Sequence, residues 1–365
     1  SVVTFESEVE IKLNSVSASD PNIENVISSI GVGAATALHG GISAAFQLLM
    51  QSSAPNMINR LEVFTDGEPN VAPYEDSDFI QQAREIRKNG MTLDVFGIGD
   101  DYNEQLTLQI AECGGGKWEH VADTSNLATI VNTQVTEMQN TVISNPQLQL
   151  TLMNGAELSN ASITEPTLQE IDTRDLPRSG NTISIGLKDI IKGESQTVAM
   201  RIAVPPIEGE NKSLLTAGIT EGNNVAGEQT AAISCTDDKD LYNQEDDPEP
   251  RILLSTSEAT VLLGKEVYGD TEAKEKATII LENIKETDTT LLSEETSATV
   301  INARVISGEI KPGMSESEKK RVLHETTVIG QAKNLTCPNC HSPIRATSKI
   351  CGKCGKPINK NEVGN

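Results

Sequence analysis

Aromatic residues are scarce: five Phe, four Tyr and one Trp make up 3% of 365 residues, so the cores must be built from Leu, Ile, Val and Ala. Long apolar runs are missing. No stretch of 18 apolar residues occurs, and the sequence offers no helical membrane span. Positive charge is in deficit, with a formal net charge of −24 and a pI near 4.5. That argues against a chain that binds nucleic acid by its overall electrostatics, and it suits solubility in a crowded cytosol. No G-x4-G-K-[ST] loop is present, and the glycine-rich run Gly31–Gly41 lacks the lysine that a phosphate-cradling loop needs. The four histidines, His39, His120, His324 and His341, stand in no recognisable pattern with a Ser or Cys nucleophile. Catalysis is therefore not expected. An initial Met is also lacking and the chain enters a strand pattern at once, so the N-terminus is expected to lie upstream and a signal peptide there stays open.

What is present divides by period. At this length two or three domains are expected. Ser1–Leu13 reads as two short strands with a turn at Glu6-Ser7, and a short helix follows with Ile23, Val26, Ile27 and Ile30 at helical spacing. The small-residue loop Gly31–Gly41 runs into a helix over Ile42–Gln51. Strands are expected at Leu61–Phe64, Met91–Ile98 and Trp118–Val121, with helices at Ser77–Asn89 and Gln105–Cys113. A last helix capped by Ser125 should carry Leu127, Ile130, Val131, Val135 and Met138 on one side. Strands alternating with helices imply a mostly parallel sheet covered on both faces. From about residue 145 alternation of period two takes over, as in Leu148, Leu150 and Leu152, or Val198, Met200, Ile202 and Val204. That predicts an antiparallel β-sandwich. The expected organisation is an α/β domain over 1–142, a β-sandwich over 145–235, an acidic linker over 236–250, a helical segment over 251–331 and a cysteine-bearing tail over 332–365.

Two places carry chemistry. In Leu61–Asn70, LEVFTDGEPN, an apolar strand ends in Thr65-Asp66-Gly67. A carboxylate there lies at the carboxyl edge of the sheet, where ligands of open α/β sheets bind, and Asp66 can hold a hard divalent cation. The competing reading is an ordinary Asp-Gly turn. Thr36 is the only hydroxyl of the upstream glycine-rich loop, and His39 lies on the same edge, as a structural histidine or a ligand. The second place is the tail, where Cys337, Cys340, Cys351 and Cys354 form two C-x2-C pairs ten residues apart. Four thiolates from paired turns make a tetrahedral zinc site, with structural Zn2+ supplying the fold of a segment too short for a core. Disulfides, a redox pair and, through Cys337–His341 as C-x-x-C-H, haem attachment are the rivals. The tail from Ala332 is formally +5, leaving −29 for the rest. Such a basic knob can dock a protein or nucleic acid, or be only a structural knuckle. It has no aromatic residue to stack bases.

The hairpin SVVTFESEVEIKL, the loop GAATALHGG, the strand LEVFTDGEPN and the run TLDVFGIGDDYNEQLTLQIAECGGGKWEHV, in this order, resemble a von Willebrand factor type A domain. The sandwich and helices resemble the extension of type A proteins similar to inter-α-trypsin-inhibitor heavy chains and calcium-activated-channel-like proteins, and the tail resembles the zinc ribbons that end many archaeal and bacterial proteins. The resemblance implies a Rossmann-like α/β fold and a metal-ion-dependent adhesion site for Mg2+ or another divalent ion, with a partner protein's acidic residue completing the coordination. It assigns Thr36 and Asp66 as ligands. Its D-x-S-x-S motif is absent from this sequence, as is the first strand that the family places between the strands at Ser1 and Leu61. A truncated type A domain with a partial site, poor independent folding and weak metal affinity is expected. The implied function is a non-enzymatic, metal-dependent protein-interaction module joined to a zinc ribbon, in the cytoplasm because zinc thiolates favour a reducing compartment. The alternatives are a regulatory subunit of an ATPase, kinase or ubiquitin-ligase-like complex, and nucleic-acid docking through the basic tail.

Overall fold

In the computed structural model the chain forms two compact units, Ser1–Pro146 with Gly186–Lys192, and Gln147–Ile185 with Gly193–Asn365. The structure describes residues 1–328 except 32, 34, 54–56, 72–74, 123, 166–167, 175, 223, 243–246 and 285–291, and beyond 328 only 335–336 and 343–344.

The first unit opens with an antiparallel hairpin, β1 (Val2–Phe5) and β2 (Val9–Leu13). A short helix α1 (Ile23–Ser28) follows, and then α2 (Leu38–Ser52). Next come β3 (Arg60–Thr65), α3 (Asp76–Lys88), β4 (Thr92–Ile98), α4 (Glu104–Cys113), β5 (Gly115–Val121) and α5 (Leu127–Asn140). β3, β4 and β5 form a parallel sheet in that order, as the strand–helix alternation requires. β4 is buried along six of its seven residues because helices cover both faces. Helix α3 starts with a capping box between Glu75 and Asp78 and carries Arg87 and Lys88 in its last turn, an arrangement suited to both ends of the helix dipole. The hairpin forms a sheet of its own, separate from β3–β4–β5, yet α2 packs against β1, β2 and β3.

Two helices with apolar residues at helical spacing bury few of them. Helix α5 buries only Gln134, while Val131 and Val135 are 37% and 46% exposed and Leu127, Ile130 and Met138 are half-buried. The ground beneath α5 is charged rather than apolar, and buried charges require polar partners. Helix α1 buries no residue, and its Ile27 is 50% exposed. The unit is completed by β6 (Thr141–Ile143), which pairs with a strand from much later in the chain, β12 (Ile190–Ile191).

In the second unit, β7 (Gln147–Leu152), β8 (Glu157–Glu165), β9 (Gln169–Ile171), β10 (Arg178–Ser179), β11 (Thr182–Gly186), β13 (Thr197–Ala203), β14 (Lys212–Glu221) and β15 (Asn224–Ile233) make two sheets, β10-β11-β7-β14-β15 and β13-β8-β9. The acidic stretch after β15 holds a short helix α6 (Lys239–Tyr242). Helices α7 (Glu249–Val267), α8 (Thr271–Asn283), α9 (Glu294–Glu309) and α10 (Glu316–Thr327) follow. The helices do not stand apart from the sheets. α7 packs on β8, β9 and β13, which explains why Ala161, Ser162, Ile163 and Thr164 of β8 are buried consecutively rather than alternately. Leu168 beside β9 joins a helical core of Ile252, Leu263, Leu281, Val300 and Ile306, and its N–H donates to the Thr327 carbonyl at 2.7 Å. In the tail, β16 (Leu335–Thr336) pairs antiparallel with β17 (Pro343–Ile344).

Candidate metal edge of the parallel sheet

Strand β3 alternates as its sequence dictates: Leu61, Val63 and Thr65 are buried, while Glu62 and Phe64 lie on the other face, where Phe64 stacks on Phe96 at 4.7 Å between ring centroids. Thr65 pairs with Gly97 and Gly97 with His120, so Asp66 emerges at the carboxyl edge, where it is exposed. The turn is closed by Thr65 Oγ1 donating to the Gly67 carbonyl at 3.1 Å.

Thr36 is brought to this turn from 30 residues upstream. Its N–H donates to Asn70 Oδ1 at 2.8 Å, and the Asn70 N–H donates back to the Thr36 carbonyl at 3.3 Å. A Cβ on Gly67 would lie 2.9 Å from Thr36 Oγ1, which places the hydroxyl directly over the residue after Asp66 and makes any side chain at Gly67 displace it. The Ala37 N–H donates to the Glu6 carbonyl at 2.9 Å, tying this loop to the hairpin turn. The fold thus brings the Thr36 hydroxyl over Gly67, one residue from Asp66. Hydroxyl and carboxylate oxygens suit a hard divalent cation, which takes about six to eight oxygen ligands, so two donors are only part of a set. Among the described residues no group of three or more His, Cys, Asp or Glu side chains converges as a metal site. Cys337, Cys340, Cys351 and Cys354 lie outside the described residues, as does Tyr74.

His39, in the first turn of α2, packs edge-on against Phe79 at 5.3 Å, and burial lowers its pKa although Asp78 opposes the shift. This is the environment of a packing histidine. His120 is held differently: the Tyr102 hydroxyl lies 2.9 Å from His120 Nδ1, and the Tyr102 ring occupies the space over Gly97, where a Cβ would fall 2.1 Å from it. Burial, with Glu104 and Asp100, pushes the Tyr102 phenol well above its ordinary range. At neutral pH it therefore remains protonated.

The opposite edge of the sheet carries a charged layer that the sequence reading missed. Arg60 Nη2 lies 2.7 Å from Asp189 Oδ2 and Arg60 Nη1 lies 3.4 Å from Asp94 Oδ2, with all three side chains almost fully buried. Asp94 Oδ1 accepts the Lys117 N–H at 2.6 Å, Lys117 Nζ lies 2.6 Å from Glu137 of α5, and Arg60 Nη1 donates to Gln134 Oε1 at 3.4 Å. Asp189 also accepts the Asn145 N–H at 2.9 Å and the Thr92 hydroxyl at 3.3 Å. Arg87 Nη2 donates to the Leu187 carbonyl at 3.0 Å. Burial raises the pKa of Asp94, opposed by Arg60 and Lys117, and lowers that of Lys188. Glu62 is pushed up to about 7, by burial first and then by Asp94, with Arg60 opposing. The available signal was Asp94 itself, a carboxylate inside the apolar run MTLDVFGI.

Residues 1–133 match the family model of the von Willebrand factor type A domain. The chain is 28% identical over 151 residues to the uncharacterized protein YfbK of Escherichia coli (strain K12), an alignment covering 41% of this chain and 26% of that protein, so the chain matches about a quarter of the length of that curated relative. Its fold resembles the solved structure of a von Willebrand factor type A protein from Catenulispora acidiphila, with a TM-score of 0.70 at 16% identity over 89% of this chain and 79% of the other. The ArnB paralog VWA2 from Sulfolobus acidocaldarius aligns with a TM-score of 0.45 at 17% identity, over 83% of this chain and 72% of the other. The parallel sheet and helices α2, α3 and α4 lie within residues 1–133, the segment that matches the von Willebrand factor type A model.

Proposed function

We propose that this chain is a non-enzymatic, metal-dependent protein-interaction module. In this reading Thr36 Oγ1 and Asp66 hold Mg2+ or another divalent cation at the carboxyl edge of the sheet, and an Asp or Glu of a partner protein completes the coordination. The observation that carries it is the reciprocal hydrogen bonding of Thr36 with Asn70, which seats a hydroxyl from one loop over Gly67, the residue after Asp66 in another. A third contribution belongs to the reading: a strand bearing D-x-S-x-S between β1 and β3. It is supported by the separation of the hairpin from β3–β4–β5, although α2 packs on both. The four cysteines hold a structural Zn2+ in the tail, and the module works in the reducing cytosol.

Titration calorimetry with Mg2+ and Mn2+ on the full chain tests the metal site. Asp66→Ala and Thr36→Ala are expected to weaken binding by on the order of tenfold or more, since each removes a ligand of a sparsely held ion. A Cys337→Ser, Cys340→Ser double variant should lose bound zinc without changing the Mg2+ isotherm. Wild-type affinity in Asp66→Ala would overturn the assignment.

A further inference from the structure

Strand β15 is the outermost strand of its sheet, ten residues long, paired with β14 on one side and with no strand on the other among the described residues. Every residue from Asn224 to Ala232 is exposed. Long edges of this kind ordinarily carry Lys or Pro as guards against pairing, or are covered. β15, NVAGEQTAAI, contains neither, and its single charge is Glu228. The pairing with β14 has two irregularities: Ile219 pairs with Gly227 and Thr220 with Val225, which sets Ala226 out of register, and Leu214 of β14 is passed over between Ser213↔Ala232 and Leu215↔Ala231. From Gly227 to Ala231 the register is unbroken.

We propose that β15 is a self-association edge, pairing antiparallel with β15 of a second copy about a two-fold axis through Gln229. An antiparallel pair made by a two-fold axis must run along the sheet normal, so it leaves each side chain on its own face. Directly opposed residues must also share a face, so one residue has to oppose its own copy. Centring on Glu228 would set two carboxylates directly against each other, which is destabilising. Centring on Thr230 would oppose Glu228 to Ala232 and Gln229 to Ala231. Centring on Gln229 opposes Gln229 to Gln229, Glu228 to Thr230 and Gly227 to Ala231. Amides that both donate and accept then meet on the axis, a carboxylate faces a hydroxyl, and small residues face small residues. The edge is thus complementary to itself, which is what an isologous interface requires. The net charge of −24 on each copy opposes association, so pairing strengthens as salt screens the two chains.

Sedimentation velocity on the full chain, over a concentration series at low and raised ionic strength, tests the proposal. The expected result is a monomer–dimer equilibrium that shifts toward dimer with salt. Gln229→Glu and Gln229→Lys each set like charges face to face on the axis and should weaken dimerisation about tenfold or more. An equimolar mixture of the two should recover the dimer as a mixed pair, visible by labelling one of them. Circular dichroism establishes that both variants are folded, and recovery on mixing gives a readout that misfolding cannot imitate. A wild-type chain that stays monomeric throughout the series, or variants that dimerise as the wild type does, would overturn it. So would two folded variants that remain monomeric when mixed.

Discussion

Glu62 faces the same buried charge layer as Asp94 and is held protonated up to about pH 7. Its ordinary pKa is 4.5, so between these values the folded chain keeps a proton that the unfolded chain has released. Stability therefore falls as pH rises through that window, and above it the ionised Glu62 is a constant burden. Glu62→Gln should stabilise the chain by roughly 1–2 kcal/mol at pH 8 and by almost nothing near pH 4, the half-buried position keeping the effect below the full shift. Melting temperature against pH for both proteins checks this, and parallel curves would exclude it. At the carboxyl edge the residue scale was largely legible in the sequence. A strand ending in Thr65-Asp66-Gly67 placed Asp66 before any coordinates, and Thr36 stood out as the one hydroxyl among small residues. Asn70, whose side chain joins the two loops, was hidden because a hydrogen bond across 34 residues leaves no local pattern.

Helix α5 shows where reading by pattern fails. Its sequence carries apolar residues at helical spacing, and that period correctly gives the helix. Which side faces inward depends on the surface beneath, and that surface is built by Arg60, Asp94 and Lys117 from three strands. Gln134 and Glu137 answer it, and Val131 and Val135 are turned outward. Gln134→Ala should therefore destabilise the chain by about 1–2 kcal/mol through the contact it removes from Arg60, whereas Val135→Ser should stay within about 0.5 kcal/mol. Chemical denaturation of the two variants separates these outcomes, and a larger loss at Val135 would contradict the outward placement of the apolar side. The same limit applies to α7. The helical segment expected over 251–331 includes most of it, but the sequence did not show that β8 would be its floor, because both faces of β8 read as one short apolar-and-hydroxyl run.

At the scale of the whole molecule, the change from helical to alternating period near residue 145 was legible, and the chain does pass there from one unit to the other. The return was not. Gly186–Lys192 reads as a continuation of the sandwich, yet Asp189 is held by Arg60, Thr92 and Asn145, and β12 pairs with β6. Asp189→Ala in the full chain should raise amide exchange in β3 and β4 and leave β7 and β14 protected, although position 189 lies between strands of the second unit in sequence. Exchange followed by mass spectrometry reads this directly, and uniform loosening of both units would contradict it.

The late strap also has a consequence for synthesis. A ribosome delivers residues 1–146 before residues 186–192, so Arg60 at first has Asp94 beside it but not Asp189. The second carboxylate partner of Arg60 arrives only after some forty more residues have left the exit tunnel, so the nascent first unit waits, incompletely closed, for a segment encoded beyond residue 146. A stop or frameshift between codons 147 and 188 would spare every residue of the matched family segment and still leave that unit without its last stabilising anion.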